Sequence, residues 1–133
     1  PDDMSPAAYS YDKMCAFAAA DRALAASGTV SLELAAADTP MLIAYDTSWL
    51  SRVIISRMLI VDTLTLVNLV SDTRAVPELL GVDCTPEKIA PAALDLLDDA
   101  GAQSAAMHLT MDRLGRGGDA PGLRAAKAVL ARL

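Results

Sequence analysis

The sequence predicts an α/β fold in which a parallel sheet is flanked by helices and followed by an all-helical C-terminal segment. Short apolar runs near residues 22–27, 41–45 and 63–68 are typical of buried strands, and segments with helical periodicity separate them. Strands that alternate with helices indicate a parallel sheet with crossover connections. After Gly81 the periodicity is helical to the end of the chain. We therefore interpret the 133 residues as one domain, 1–133.

The alternating elements occupy the first half of the chain. In chain order they are a helix in SYDKMCAFAAADR, a short strand in ALAAS, a helix in VSLELAAAD, a strand in MLIAY, a helix in SWLSRVIISRMLI and a strand in TLTLVN. Asp12 has the position of an N-cap in the first helix, and Gly28 ends the weakest strand, whose alanines favour helix. We expect Ser27 and Asn68 at the carboxyl ends of strands on one edge of the sheet.

The second half of the chain predicts three helices. Thr85 has the position of an N-cap, and Pro86 stands at the first helical position of TPEKIAPAALDLLDD, where its missing N–H costs nothing. AGAQSAAMHLTMDRL forms the next helix. After a glycine-rich turn, PGLRAAKAVLARL is amphipathic, with Leu123, Val129 and Leu130 on one broad apolar face.

Composition and charge disfavour several classes of function. The formal net charge is −6 and no basic stripe is present, which argues against nucleic acid as a partner. Cys15 and Cys84 form no CxxC or Cys/His cluster, so we expect no zinc site, no disulfide framework and a reducing compartment. His108 is the only histidine, which disfavours metal or triad chemistry. We expect no signal peptide, and no apolar run in these residues approaches the ~20 residues that span a bilayer.

A small polar triplet, Ser27-Gly28-Thr29, stands between the first predicted strand and the next helix. Such a turn at the carboxyl edge of a parallel sheet leaves backbone N–H groups free to hold an anion. Glu33 follows at the start of the helix, where a carboxylate can accept the hydroxyls of a ribose. Two simpler interpretations stay open. Ser27 or Thr29 merely caps the helix, and Glu33 is a solvated acid favoured by the helix dipole.

The segment SWLSRVIISRMLI is apolar on nearly every side when plotted as a helix. Arg52 and Arg57 are its only charged residues. One interpretation is a crossover helix buried on both sides. The other is a surface for acyl chains or the bilayer interface, with Trp49 at the level of the headgroups, the arginines toward lipid phosphates and Ile54 among the apolar contacts.

The ordered stretches AFAAADRALAASGTVSLELAAADTPMLIAY, SWLSRVIISRMLIVDTLTLVNLVSDTRAVPELL and CTPEKIAPAALDLLDD together resemble the C-terminal domain of the lipid-A-disaccharide synthases. The likeness runs from about Asp12 to the C-terminus. That family consists of inverting GT-B glycosyltransferases of Gram-negative bacteria. The resemblance implies a Rossmann-like sheet and the transfer of 2,3-diacylglucosamine from its UDP conjugate to 2,3-diacylglucosamine 1-phosphate, which gives a β-1,6-linked disaccharide and UDP.

The resemblance also implies site residues and partners. Ser27, Gly28 and Thr29 face the UDP phosphates, Glu33 lies beside the ribose, and Asn68 in LVNLV matches the family's asparagine. The implied substrates are UDP-diacylglucosamine and a lipid acceptor, with no cofactor and no metal. The implied location is cytoplasmic, peripheral on the inner membrane. Because other UDP-sugar glycosyltransferases share a similar glycine and glutamate block, that block alone establishes only the superfamily.

The chain departs from the family pattern at several positions. Val67 stands where the family often has proline, and the family's arginine is shifted by one position to Arg74. The family's Tyr-Arg is Tyr45-Asp46 here, which reverses a charge. No family role is therefore carried over to Arg74 or Asp46. The N-terminal domain, with the acceptor site and the general base, is expected outside these residues, so no catalytic residue is assigned and the chain alone is expected to be inactive.

The sequence is also compatible with two other classes of protein. A receiver-like signalling domain has this size, but ALAASGT lacks the acidic pair that its first strand needs. A non-catalytic α/β interaction module is compatible with the pattern. Self-association through the 48–60 helix or the C-terminal helix is expected, because both carry apolar faces that need cover.

Overall fold

The computed structural model describes residues 6–26, 28–46, 62–119 and 121–132. The helices are α1 (Pro6–Ala19), α2 (Val30–Ala36), α3 (Leu66–Ser71), α4 (Pro86–Asp98), α5 (Gly101–Arg113) and α6 (Pro121–Leu130), and the strands are β1 (Ala23–Ala25), β2 (Met41–Tyr45) and β3 (Glu78–Leu80). A 3₁₀ turn, Gly81–Asp83, follows β3. The alternation of strands and helices, and the helical second half, are confirmed.

The three strands form one parallel sheet in the order β1-β2-β3. Ala23 pairs with Met41 across β1 and β2, and Tyr45 pairs with Leu80 across β2 and β3. The predicted parallel sheet is therefore confirmed, and MLIAY is its central strand. Its residues Met41 to Ile43 are almost completely buried, since each pairs with β1, Ile43 also pairs with β3, and helices cover the faces.

The main core lies between one face of the sheet and the helices α2, α3 and α5. Met41 and Ile43 point to this face and pack with Leu34, Val67 and Met107. Because side chains alternate along a strand, Leu42 points to the opposite face, where α4 packs against β2. Most of the burial thus comes from the β2 run and the helices that cover it.

The predicted third strand at 63–68 is wrong. Thr65 is extended and begins α3, and Asp72 ends this helix in the left-handed conformation with φ 59°. The N–H groups of Leu64 and Thr65 donate to the carboxylate of Glu78, so a distant side chain takes the place of a strand partner. The third strand is instead Glu78–Leu80, which is only three residues long.

The C-terminal helix α6 is exposed along its length. Leu123 is 48% exposed, Val129 62% and Leu130 69%, so its apolar face lacks cover within the described part of the chain. Arg124 donates to the carbonyl of Leu114, which ties the start of α6 to the end of α5. The predicted amphipathic helix is confirmed.

None of the helices in the described ranges is long and apolar enough to cross a membrane.

Candidate functional site

The carboxyl ends of the three strands lie along one edge of the sheet, which we call the carboxyl edge. β1 leads into Gly28, β2 ends at Tyr45 and is followed by Asp46, and β3 leads into Gly81. Gly28 has φ 122° and Gly81 has φ 59°, conformations that favour glycine. In open α/β sheets this edge is where ligands bind, which makes it the candidate site.

The turn at Gly28 and Thr29 starts α2. The carbonyl of Gly28 accepts from the N–H of Ser31 at 3.2 Å and from its hydroxyl at 2.8 Å. Thr29 is exposed, and its hydroxyl makes no capping hydrogen bond to the described first turn of α2. Thr29 thus occupies the N-cap position of α2 without the side-chain hydrogen bond that the capping interpretation expects. Ser27 lies outside the described residues.

Glu33 lies in the first turn of α2, and its N–H donates to the carbonyl of Thr29 at 3.3 Å. Its carboxylate Oε1 lies 2.7 Å from Nζ of Lys13 on α1. The Lys13 and Glu33 side chains are 32% and 38% exposed, so the ion pair lies partly open to solvent. The acid is thus held beside the Gly28–Thr29 turn by a cation from another helix, a partner that the sequence pattern did not indicate.

Asn68 lies within α3 and not at a strand end, so its expected position is wrong. The residue is 1% exposed. Its Nδ2 donates to the carbonyl of Val76 at 2.8 Å, and its Oδ1 accepts from the N–H of Val76 at 3.0 Å. The amide therefore fixes the chain between α3 and β3. Contact of Asn68 with a substrate stays a prediction.

Glu78 is a structural residue that the sequence analysis missed. Its carboxylate accepts hydrogen bonds from the Thr63 hydroxyl and from the N–H groups of Leu64 and Thr65, the latter two at 3.1 and 2.8 Å. Burial raises the pKa of Glu78, but the donors on Thr63, Leu64 and Thr65 outweigh it and hold the pKa below its ordinary value of 4.5. The sequence does contain a signal for this role, because Glu78 is an acid within the otherwise apolar stretch VPELLG.

Arg74, for which no role was carried over from the family, forms an ion pair with Asp62 on the surface. Its guanidinium also donates to the carbonyl of Thr73. The hydrogen bond from Arg74 lowers the pKa of Asp62. Both side chains are well exposed, so this pair contributes little to stability.

The predicted acyl-chain or membrane contacts lie outside the described residues, as does the helix predicted at 48–60. They are Trp49, Arg52, Ile54 and Arg57. Across the described ranges, no three His, Cys, Asp or Glu side chains are grouped so that they could hold a metal ion. His108 lies 3.1 Å from the carboxylate of Asp38 on the surface.

A groove of about 260 Å³ lies at the opposite, amino-terminal edge of the sheet. Ala75 and Pro77 before β3, Ala92 and Leu96 of α4, and Gln103 of α5 form its walls. The side-chain oxygen of Gln103 accepts from the N–H of Met41 at the start of β2, which fixes the location of this groove. It is separate from the carboxyl edge and carries none of the predicted site residues.

A parallel sheet with a glycine turn and an acid on the first crossover helix defines a Rossmann-like unit of the kind found in GT-B glycosyltransferases. The chain matches the family described as lipid-A-disaccharide synthetase over residues 2–126. The chain belongs to this family.

Three curated relatives are named lipid-A-disaccharide synthase. The protein from Ruegeria pomeroyi is 63% identical over 133 residues, which cover 100% of this chain and 33% of that protein. The proteins from Paramagnetospirillum magneticum and Rhodospirillum centenum are 48% and 44% identical, each over 90% of this chain and over 32% and 30% of their own lengths. The chain thus spans about a third of the length of these relatives.

Proposed function

We propose that the chain is the UDP-sugar-binding part of a glycosyltransferase that makes the lipid A disaccharide. In this reaction 2,3-diacylglucosamine passes from its UDP conjugate to 2,3-diacylglucosamine 1-phosphate, and UDP is released. The observation that carries the proposal is the 63% identity to a named lipid-A-disaccharide synthase along the whole chain. The open carboxyl edge of the sheet supports it, since nucleotides bind there in related folds.

In this proposal the Gly28–Thr29 turn, together with Ser27, binds the diphosphate of the donor. The left-handed Gly28 leaves open space, because a Cβ built there meets no atom within 4 Å, and the Thr29 hydroxyl is exposed beside it. Glu33 accepts the ribose hydroxyls, either in place of Lys13 or while sharing it. Binding needs no metal or other cofactor, since N–H groups and hydroxyls are donors that suit an anion.

The chemistry of transfer requires residues beyond this chain. We assign the general base and the acceptor site to the part of the longer proteins that this chain does not span, so this chain alone is proposed to bind the donor without catalysis. We propose that the parent enzyme works at the surface of the inner membrane, on its cytoplasmic side, since substrates that carry acyl chains partition into a membrane. Trp49, Arg52, Ile54 and Arg57 are its proposed contacts with acyl chains or lipid.

A chimeric enzyme tests the proposed activity. The matching third of the Ruegeria pomeroyi synthase is replaced by this chain, and disaccharide formation from the two lipid substrates is measured in detergent micelles. We expect an active chimera, and we expect the same chimera with Glu33→Ala to lose most of its activity while still folding. A folded chimera with no activity would contradict the proposal.

A second role, self-association, is supported by the uncovered face of α6. Leu123, Val129 and Leu130 are each about half exposed or more, and burying such a face stabilises a complex by about 25 cal/mol per Å² of apolar area. Exchange of one terminal helix between two copies is a low-cost way to bury it. We therefore propose a homodimer formed through α6, to which the 48–60 segment contributes.

A further inference from the structure

The carboxyl edge carries different side chains at the ends of β1, β2 and β3. At the end of β1 it carries the Gly28–Thr29 turn and the Lys13–Glu33 ion pair. At the ends of β2 and β3 it carries Tyr45, which is 42% exposed, and Val82, which is 74% exposed, and each is followed by an acid, Asp46 or Asp83. In a lipid-linked sugar nucleotide the charged diphosphate and ribose are followed by a sugar that bears acyl chains, and an exposed aromatic side chain suits the sugar.

Tyr45 is the last residue of the central strand. The three residues that begin this strand, Met41 to Ile43, are at most 1% exposed, whereas Tyr45 is 42% exposed. Because side chains alternate, Tyr45 points to the same face as Met41 and Ile43, which is the face that α2 covers. Tyr45 therefore presents part of its side chain to solvent at the carboxyl edge.

The proposed contact of Glu33 with the ribose sets the direction in which the donor would lie. α2 packs against β1 and carries Glu33, so the ribose side of the nucleotide lies over β1. The next strand in the sheet is about 4.8 Å away and ends in Tyr45. The group on the other side of the diphosphate is the sugar, and it therefore extends across the end of β2.

We propose that Tyr45 is a binding residue for the glucosamine ring of the donor. The apolar face of the sugar stacks on the Tyr45 ring, and the attached acyl chains continue toward Val82 at the end of β3. An aromatic ring suits this role because it offers a large apolar surface with little loss of side-chain freedom. This inference rests on the proposed function, since it assumes that UDP binds at the carboxyl edge.

Paired titrations with UDP and UDP-N-acetylglucosamine test the inference. These probes share the nucleotide and differ in the sugar. We expect the parent chain to bind UDP-N-acetylglucosamine more tightly than UDP. Tyr45→Ala should weaken UDP-N-acetylglucosamine binding about 5- to 10-fold and leave UDP binding within about twofold, because only the sugar stacks on the ring. Tyr45→Phe keeps the ring and should bind both probes like the parent.

Tyr11→Ala is the matched control, since Tyr11 is 71% exposed on α1 and has no proposed contact with the sugar. It should leave both affinities unchanged. The inference is overturned if Tyr45→Ala binds both probes like the parent, or if it loses both equally, which would place the ring under the nucleotide. If the parent binds UDP without preference for the sugar, this inference alone fails. If the parent binds neither probe, the proposed function fails with it.

Discussion

Lys13 on α1 and Glu33 on α2 form an ion pair, with 2.7 Å between Nζ and Oε1, directly beside the Gly28–Thr29 turn. A cation is not favoured at the start of a helix by the helix dipole, so the carboxylate is what holds Lys13 there. Because both side chains are about one-third exposed, the pair contributes less than about 1 kcal/mol to stability. Replacing Glu33 should therefore leave the fold intact. Any change in UDP affinity on replacement then reports on the binding role of this side chain.

The first prediction concerns Glu33→Ala. We expect UDP binding to weaken by about 1–3 kcal/mol, the loss typical of a charge-assisted hydrogen bond, with little change in melting temperature. Isothermal titration and thermal unfolding of the same samples measure both quantities. Glu87→Ala, which removes an exposed acid from the first turn of α4, is the control and should bind UDP like the parent. Equal binding by Glu33→Ala would make Glu33 an ordinary surface acid.

The second prediction separates structural and ligand roles of Asn68. Asn68→Ala leaves the buried N–H and carbonyl of Val76 without partners, so the free energy of unfolding should fall by about 2–3 kcal/mol. Urea unfolding followed by circular dichroism measures this loss. Leu69→Ala, at a neighbouring position that is 38% exposed, should cost less. A variant that unfolds like the parent but no longer binds UDP would instead assign Asn68 to the ligand.

The third prediction concerns the pH dependence that Glu78 confers. Its pKa is below 4.5 in the folded chain, so the carboxylate contributes stability above about pH 4.5 and loses it as the pH falls through the folded pKa. Glu78→Gln should be less stable than the parent at pH 7 by about 1–3 kcal/mol, and the difference should shrink below pH 4.5. Urea midpoints at several pH values measure it. A difference that is constant with pH would rule out the charge as its cause.

The fourth prediction concerns self-association through α6. The parent chain should form dimers at micromolar concentration, and the double variant Val129→Asp, Leu130→Asp should be monomeric, because two charges on the apolar face oppose its burial. Light scattering measures the mass. Arg132→Asp changes an exposed charge at the end of the helix and should leave the dimer intact. A monomeric parent with α6 ordered on its own chain would contradict the proposed dimer.

The sequence predicted those elements whose signal is local. MLIAY is a continuous apolar run after Pro40, and such a run is buried wherever the chain folds into an α/β sheet. Thr85 and Pro86 mark the start of α4 for reasons contained in the helix itself, and the structure begins the helix at Pro86. The carboxyl-edge turn at Gly28 was found because glycine marks a backbone conformation that few residues adopt.

The predictions that were wrong concern elements that depend on contacts between residues far apart in the chain. TLTLVN alternates like a strand, yet Glu78, which lies 13 to 15 residues further on, bonds the backbone of this segment and allows α3 to begin at Leu66. The strand Glu78–Leu80 was missed because three residues with an acid at the first position give almost no periodic signal. Lys13 and Glu33 are 20 residues apart, and only the packing of α1 on α2 brings them together.

Binding of uridine diphosphate at the carboxyl edge can be measured by titrating the isotope-labelled chain with UDP and following the backbone amides by NMR. We expect saturable shifts concentrated at Gly28, Thr29 and Glu33, with little change around the groove lined by Ala92 and Gln103. An absence of shifts at millimolar UDP, or shifts confined to that groove, would contradict binding at the carboxyl edge.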